Sequence, residues 1–112
     1  MPNYKPRLDR LFRALGDPTR RRVVERLGAG PAAAGELARP FKMALPSFAQ
    51  HLGVLERSGL VRSRKSGRVR TYRLDPRALG AARTWLDAQR ALWERRLGQL
   101  DDFLIQEKEN EP

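Results

Sequence analysis

The sequence predicts a single, mostly helical α+β domain with the element order α-α-α-α-β-β-α. Apolar residues recur at three- and four-residue steps over most of the chain, which is the spacing of one face of a helix. The pattern changes to alternation over residues 61–74 and predicts two short strands there. After Pro76 the apolar residues repeat at seven-residue intervals, which is typical of a long helix that packs against another helix.

Each of the first two helices is predicted by its own apolar stripe. The first stripe contains Tyr4, Leu8, Leu11, Phe12 and Leu15, and the second contains Val23, Val24 and Leu27. Gly16 ends the first helix. Asp17 is a favoured N-cap residue and Pro18 suits the first helical position, so the second helix begins here.

Two further helices are predicted before the alternating segment. The third covers residues 33–39, with Leu37 as its apolar anchor, and the fourth covers residues 45–58, with Pro46 in its first turn. Gly59 suits the position that follows the last turn of a helix. The predicted buried side of the fourth helix consists of Leu45, Phe48, Leu52 and Leu55.

A basic hairpin is predicted next, with strands over residues 61–64 and 69–74 and a turn over 65–68. Tyr72 and Leu74 share the side expected to face the core. Six basic residues and no acidic residue lie in this hairpin: Arg62, Arg64, Lys65, Arg68, Arg70 and Arg73. Their mutual repulsion opposes folding, so binding to phosphates is the simplest explanation. The alternative, an edge guarded against aggregation, needs only one or two charges.

The last helix is predicted to begin after Asp75 and to reach Gln106. Its stripe consists of Leu79, Leu86, Trp93 and Leu100, widened by Leu92, Leu97, Phe103 and Leu104. Such a stripe on a small domain needs a second helix to cover it. We therefore expect a homodimer with an interface that contains Leu8, Leu11, Phe12, Leu79, Leu86, Trp93 and Leu100. An alternative role for Trp85 and Trp93, with Leu86 and Leu92, is to line a pocket for a small-molecule effector.

The single predicted domain, residues 1–112, then has four parts. They are an N-terminal dimerisation helix (1–16), a DNA-binding core with its hairpin (17–74), a C-terminal dimerisation helix (75–106) and a frayed tail (107–112). The DNA-binding assignment rests on the order of the elements, because two short helices followed by a basic hairpin form a winged helix-turn-helix. In that arrangement the second short helix enters the major groove, and the hairpin, or wing, reaches phosphates.

The charge distribution favours a polyanionic partner for the first part of the chain. The formal net charge is +10. Residues 1–74 contain 17 basic and 5 acidic side chains, whereas residues 75–112 contain 6 and 8. A genome with a high GC content explains arginine in place of lysine, but it does not explain this concentration. Basic surfaces of this kind attract nucleic acid.

The exposed face of the fourth helix supplies candidates for reading bases. It carries Ser47, Gln50, Gly53 and Arg57 opposite the apolar side. Glutamine forms paired hydrogen bonds with adenine, and serine serves bases or phosphates. Glycine inside a helix costs about 0.5–1 kcal/mol relative to alanine, so Gly53 suggests a close approach by another group. The alternative is an ordinary solvated helix face.

Several motifs together resemble the ArsR-type bacterial repressors. The first is Asp17-Pro18-Thr19-Arg20 before a Val-Val-x-x-Leu helix. The second is the segment from Leu45 to Glu56 that leads into Ser58-Gly59-Leu60-Val61. The last two are Gly67-Arg68 and Tyr72-Arg73-Leu74. The resemblance implies that the first and last helices pair across a dimer and that the fourth helix reads DNA. With the hairpin, the expected DNA-binding residues are Ser47, Gln50, His51, Arg57, Arg64, Lys65, Arg68 and Arg70.

The chain departs from the metal-sensing members that it resembles. Many of them carry Glu-Leu-Cys-x-Cys on the third helix, where this chain has Glu36-Leu37-Ala38-Arg39-Pro40. The sequence has no cysteine and one histidine, His51, and the last helix has no histidine. We therefore expect no metal and no cofactor, because borderline metals prefer thiolate and imidazole ligands.

His51 is expected to have a structural role or to contact phosphate, with a pH switch or a general base as the alternatives. No catalytic constellation is present, so the chain is not expected to be an enzyme. No apolar run approaches the roughly 18 residues of a membrane helix, and no signal peptide is visible, so the expected location is the cytoplasm.

The expected function is sequence-specific binding to double-stranded DNA by a homodimeric transcriptional repressor that occupies an inverted-repeat operator. The alternative is a winged helix that docks to protein or packages nucleic acid without sequence preference.

Overall fold

The structure is a computed structural model that describes residues 5–110. The elements in chain order are α1 (Pro6–Leu15), α2 (Pro18–Leu27), β1 (Ala32–Ala33), α3 (Ala34–Ala38), α4 (Leu45–Arg57), β2 (Val61–Ser66), β3 (Val69–Leu74) and α5 (Pro76–Glu109). The mostly helical winged arrangement is confirmed, with one additional strand. Tyr4 and residues 111 and 112 of the expected tail lie outside the described residues.

The predicted helix boundaries depend on caps that the structure contains. The Asp17 side chain accepts a hydrogen bond from the Arg20 backbone N–H at 3.0 Å, which satisfies a free donor at the start of α2. Gly59 follows α4 with φ +83°, a conformation that suits glycine. The helix α5 ends at Glu109, three residues beyond the predicted end at Gln106.

The sheet has three antiparallel strands in the order β1-β3-β2. Strand β1, which the sequence did not predict, pairs Ala32 with Tyr72. Two alanines form no alternating pattern, and the third helix was therefore predicted one residue too early, at Ala33. The β2–β3 pairing extends to Ser66 opposite Val69, so the turn contains two residues rather than the predicted four.

One hydrophobic core joins these elements. It contains Leu11, Ala14, Val23, Leu27, Ala32, Leu37, Phe48, Leu52, Leu55, Leu60, Val61, Tyr72 and Ala82. The prediction that Leu45 lies in this core was wrong, because its side chain is 72% exposed. Residues 44–47 are all exposed, so no element covers the first turn of α4.

The described residues form two compact units that divide between Ala82 and Arg83. The first unit contains the core and the start of α5. The second consists of the remainder of α5, on which the large apolar side chains are 36–59% exposed: Trp85, Leu86, Leu92, Trp93, Leu97, Leu100, Phe103, Leu104 and Ile105. No helix in the described part of the chain is both long and apolar enough to cross a membrane.

A buried carboxylate joins the base of the hairpin to α5. Asp75, which is 7% exposed, accepts hydrogen bonds from the Arg62 side chain at 2.6 Å and from the Arg77 side chain at 3.1 and 3.2 Å. It also accepts the Arg77 backbone N–H at 3.0 Å, which caps the start of α5. The bonds from Arg77 and then Arg62 hold the pKa of this carboxyl far below its usual range.

We predict that Asp75→Asn lowers the melting temperature by several degrees at neutral pH, because it removes the charge that three groups contact. A carboxyl with a lower pKa in the folded than in the unfolded chain stabilises the fold above its unfolded pKa, about 3.9. This stabilisation is lost as the pH falls toward the folded pKa. The difference in melting temperature between the wild type and Asp75→Asn should therefore narrow below about pH 4, as measured by thermal circular dichroism.

Asp87→Asn is the matched control. Asp87 is exposed and lies 3.6 Å from Arg83, and exposed pairs of this kind contribute little to stability. Equal losses from the two substitutions, or a difference that stays constant down to pH 2, would contradict the role assigned to Asp75.

Candidate nucleic-acid interface

The face that α4 exposes is determined by the face that it buries. Phe48, Leu52 and Leu55 are fixed in the core, so the opposite side carries Ser47 and Gln50, and both are exposed. These two residues are three apart and are therefore neighbours on the helix surface. The structure thus brings together the two side chains that the sequence assigned to reading bases.

Arg57 occupies a different place from Ser47 and Gln50. Its guanidinium lies against Gly53, where a Cβ atom would come within 3.0 Å of a terminal nitrogen of Arg57. The close approach suggested by Gly53 therefore comes from the same helix. Arg57 belongs to the last turn of α4, remote from the N-terminal end that carries Ser47.

His51 is held on the flank of α4 against α2. Its side chain is 22% exposed, and its Nδ1 atom lies 3.1 Å from the Arg20 guanidinium and 3.7 Å from the Asp17 carboxylate. Burial raises the pKa of Asp17, but the hydrogen bond from the Arg20 backbone N–H and nearby positive charge outweigh it, so the net pKa is lowered.

Sequence reasoning assigned Arg20 no role beyond its place in a motif. No spacing rule relates position 20 to position 51, since they meet only through the packing of α2 on α4. The one available signal was the N-cap at Asp17, because it places Arg20 in the first turn of α2.

The hairpin brings like charges together across its strands. Arg62 lies opposite Arg73, and Lys65 lies opposite Arg70. Like charges in directly opposite positions destabilise a sheet. Lys65 and Arg70 continue the face that carries Tyr72, but they lie beyond the end of the core and are exposed.

Internal partners compensate only part of this charge. The Arg62 side chain donates to Asp75, and the Arg70 side chain donates to the Ser63 hydroxyl at 2.8 Å. Within residues 5–110, the remaining basic side chains of the hairpin have no hydrogen-bond or ion-pair partner: Arg64, Lys65, Arg68 and Arg73. Four uncompensated cations on one short hairpin form a surface suited to an anionic polymer.

The residues expected at a dimer interface differ in how much surface they present. Leu11 is 3% exposed and packs in the core of its own chain, so its side chain has almost no surface to offer a partner. Leu8, Phe12 and Leu79 are half-buried. By contrast, Leu86, Trp93 and Leu100 are each more than half exposed.

A cavity of about 480 Å³ opens in the first unit between α1, the end of α4, β2 and the start of α5. Its lining includes five arginines and two carboxylates: Arg7, Arg10, Arg57, Arg62, Arg77, Glu56 and Asp75. It includes neither Trp85 nor Trp93, which the sequence analysis named as candidates for lining an effector pocket.

As for metals, the described residues contain no group of three or more His, Cys, Asp or Glu side chains placed to hold an ion.

Comparison with known proteins identifies the family. Residues 15–64 match the model of a helix-turn-helix domain. The chain is 49% identical over 89 residues to the HTH-type transcriptional regulator Rv2034 of Mycobacterium tuberculosis, and the match covers 80% of each chain.

Solved structures agree with this match. The crystal structure of the ArsR family transcriptional regulator RHA00566 is 50% identical, with a TM-score of 0.78 over 82% of this chain and 95% of that one. The homodimeric winged helix-turn-helix DNA-binding domain of Mb0332 from Mycobacterium bovis is 26% identical, with a TM-score of 0.61 over 78% of this chain and 82% of that one. The chain therefore belongs to the ArsR family of winged helix-turn-helix transcriptional regulators, which bind DNA and are not enzymes.

Proposed function

We propose that this regulator is a homodimeric repressor that recognises an inverted-repeat operator, with α4 in the major groove and the β2–β3 hairpin on adjacent phosphates. One observation carries the proposal: the core fixes α4 so that Ser47 and Gln50 face outward from a domain with an uncompensated basic hairpin. Occupancy of a promoter by the dimer would block the polymerase.

Base reading is assigned to the N-terminal half of α4. The Gln50 amide has both a donor and an acceptor, which match the N7 and N6 groups of adenine. Ser47 is the neighbour of Gln50 on this face and serves either a base or a phosphate.

Phosphate binding is assigned to the hairpin, and above all to its tip. Arg64, Lys65 and Arg68 have no acidic neighbour in the described structure, so their charges remain available to DNA. If about eight phosphates are neutralised per dimer, the logarithm of affinity falls with the logarithm of salt concentration with a slope of about −7.

Dimerisation is assigned mainly to the exposed stripe of α5. Leu86, Trp93 and Leu100 repeat every seven residues, and the stripe exposes apolar area that a second helix would cover. The relative from Mycobacterium bovis is homodimeric, which supports this assignment. Two-fold symmetry would place two recognition helices about one DNA turn, roughly 34 Å, apart.

We propose that this protein is regulated without a metal, and the ligand chemistry supports this proposal. The chain has no cysteine and one histidine, and that histidine already contacts Arg20. A thiolate or imidazole site of the kind that borderline metals prefer cannot be assembled from these residues within one chain. Addition of zinc to the purified protein should therefore leave operator binding unchanged.

We predict that Gln50→Ala and Arg68→Ala separate base reading from phosphate binding. Gln50→Ala should reduce the preference for operator over random duplex by roughly tenfold or more, because paired hydrogen bonds to a base contribute about 1–3 kcal/mol of discrimination. Arg68→Ala should weaken binding to both duplexes alike and reduce the salt slope by about one per subunit. Fluorescence anisotropy measures both affinities, with the DNA upstream of the protein's own gene as the operator duplex and a shuffled sequence as the random duplex.

Arg95→Ala is the control, because it removes an exposed basic residue from α5 and should leave both affinities unchanged. Equal losses on both duplexes for Gln50→Ala would remove the base-reading role. A wild-type preference close to one would indicate packaging of nucleic acid instead of operator recognition.

We predict that Trp93→Asp converts the dimer to monomer at micromolar concentration, because it places a charge in the middle of the apolar seam. Arg95→Asp introduces the same side chain two residues away, on the opposite side of the seven-residue repeat, and should leave the dimer intact. Light scattering with size-exclusion chromatography measures the mass of each variant. A monomeric wild-type chain, or two variants with the same mass, would contradict the assigned interface.

A further inference from the structure

One guanidinium joins three helices beside the recognition surface. The Arg20 Nε atom donates to the Ala14 carbonyl at 2.8 Å, and Nη2 donates to the Arg13 carbonyl at 3.0 Å. These two carbonyls lie at the end of α1, where a helix leaves acceptors without a partner in the helix, and the Arg13 carbonyl also accepts the Gly16 backbone N–H at 3.1 Å. The third nitrogen, Nη1, lies 3.1 Å from Nδ1 of His51 on α4.

This contact determines which nitrogen of the imidazole carries the proton. Arginine has five N–H donors and no acceptor, so the hydrogen bond forms only if Nδ1 of His51 is unprotonated and accepts. A neutral histidine then carries its proton on Nε2. The Asp17 carboxylate does not reverse this assignment, because its Oδ2 atom is 3.7 Å from Nδ1 and accepts the Arg20 backbone N–H at 3.0 Å.

The Nε2 atom of His51 is free to donate outside the chain. Among residues 5–110 it has no hydrogen-bond partner. In the same part of the chain, no buried side-chain nitrogen or oxygen lacks a partner, so Nε2 must be accessible to solvent. It belongs to the residue directly after Gln50, on the helix assigned to the major groove.

We propose that Arg20 is a positioning residue that holds His51 in the Nε2–H tautomer, and that this N–H is donated to a phosphate oxygen of the DNA backbone. The second half of the proposal rests on the proposed function of α4. A phosphate is favoured over a base because most of the His51 ring is buried against α2, whereas Ser47 and Gln50 are exposed. A donor of fixed direction beside Gln50 would set the register of α4 on the duplex.

The tautomer is tested by long-range proton–nitrogen NMR spectra, in which the single histidine of the chain gives unambiguous signals. In mildly alkaline buffer the wild type should show one species, with Nε2 protonated and Nδ1 bare. Arg20→Ala should show a mixture of both tautomers. A wild-type ring that is protonated on Nδ1, or an Arg20→Ala spectrum identical to that of the wild type, would overturn the proposal.

Arg21→Ala is the matched control for this measurement. The Arg21 guanidinium also donates to a carbonyl at the end of α1, that of Leu15 at 2.7 Å, but it makes no contact with His51. The substitution removes the same charge and a comparable helix-end contact. Its spectrum should show the single wild-type tautomer, and a mixture here would mean that general loosening of α1, rather than the Arg20 contact, controls His51.

DNA binding tests the role of the Nε2–H group. His51→Ala and Arg20→Ala should each weaken binding to operator and random duplex by about tenfold, because a lost hydrogen bond to a charged group affects every sequence alike. The double variant should bind within about threefold of the weaker single variant, since both substitutions remove one contact. Multiplicative losses in the double variant would overturn the coupling of Arg20 to His51.

Failure of the proposed function can be distinguished from failure of this further proposal. If α4 does not read DNA, Arg20→Ala still shows the mixture of tautomers by NMR, but Gln50→Ala leaves the preference for operator over random duplex unchanged. Loss of preference in Gln50→Ala without any loss of affinity in His51→Ala would instead overturn the phosphate contact alone.

Discussion

The burial of Phe48, Leu52 and Leu55 is the constraint on which the proposed recognition surface depends. Each side chain contributes about 1.5–3 kcal/mol when removed from water, so a rotation of α4 that exposed them would cost more than any polar contact could return. With this rotation fixed, Gln50 must face outward and His51 must face α2. The surface that we propose reads DNA is therefore a consequence of the core.

Two groups of arginines in the first unit differ in their hydrogen-bond partners. The side chains of Arg20, Arg62 and Arg77 donate to carbonyls, an imidazole or a carboxylate, and they fix the ends of helices and the base of the hairpin. Arg64 and Arg68 have no such acceptor in the described structure. The first group is held by contacts within the chain, and the second is the group that we propose binds DNA phosphates.

Most of the fold could be predicted from the sequence because its signals are local. The cap at Asp17, the glycine at position 59 and the spacing of Phe48, Leu52 and Leu55 each act within a few residues. Strand β1 could not be predicted, since Ala32 becomes a strand residue only by pairing with Tyr72, forty positions away. Periodicity also placed Leu45 in the core, although no element covers the first turn of α4.

The candidate site was predictable to the same extent. The exposed face of α4 and the basic hairpin follow from periodicity and charge, both of which are visible in a linear sequence. The contacts of Arg20 with His51 and of Arg62 with Asp75 arise from tertiary packing. Such contacts join positions that no spacing rule relates, and they determine the direction of a side chain and not merely its exposure.

Selection of bound duplexes from a random library is the most direct test of the central claim, that a symmetric dimer reads DNA through two copies of α4. The account predicts enrichment of an inverted repeat with half-site centres about one helical turn, roughly 34 Å, apart. Enrichment of no sequence, or of a single half-site without symmetry, would contradict it.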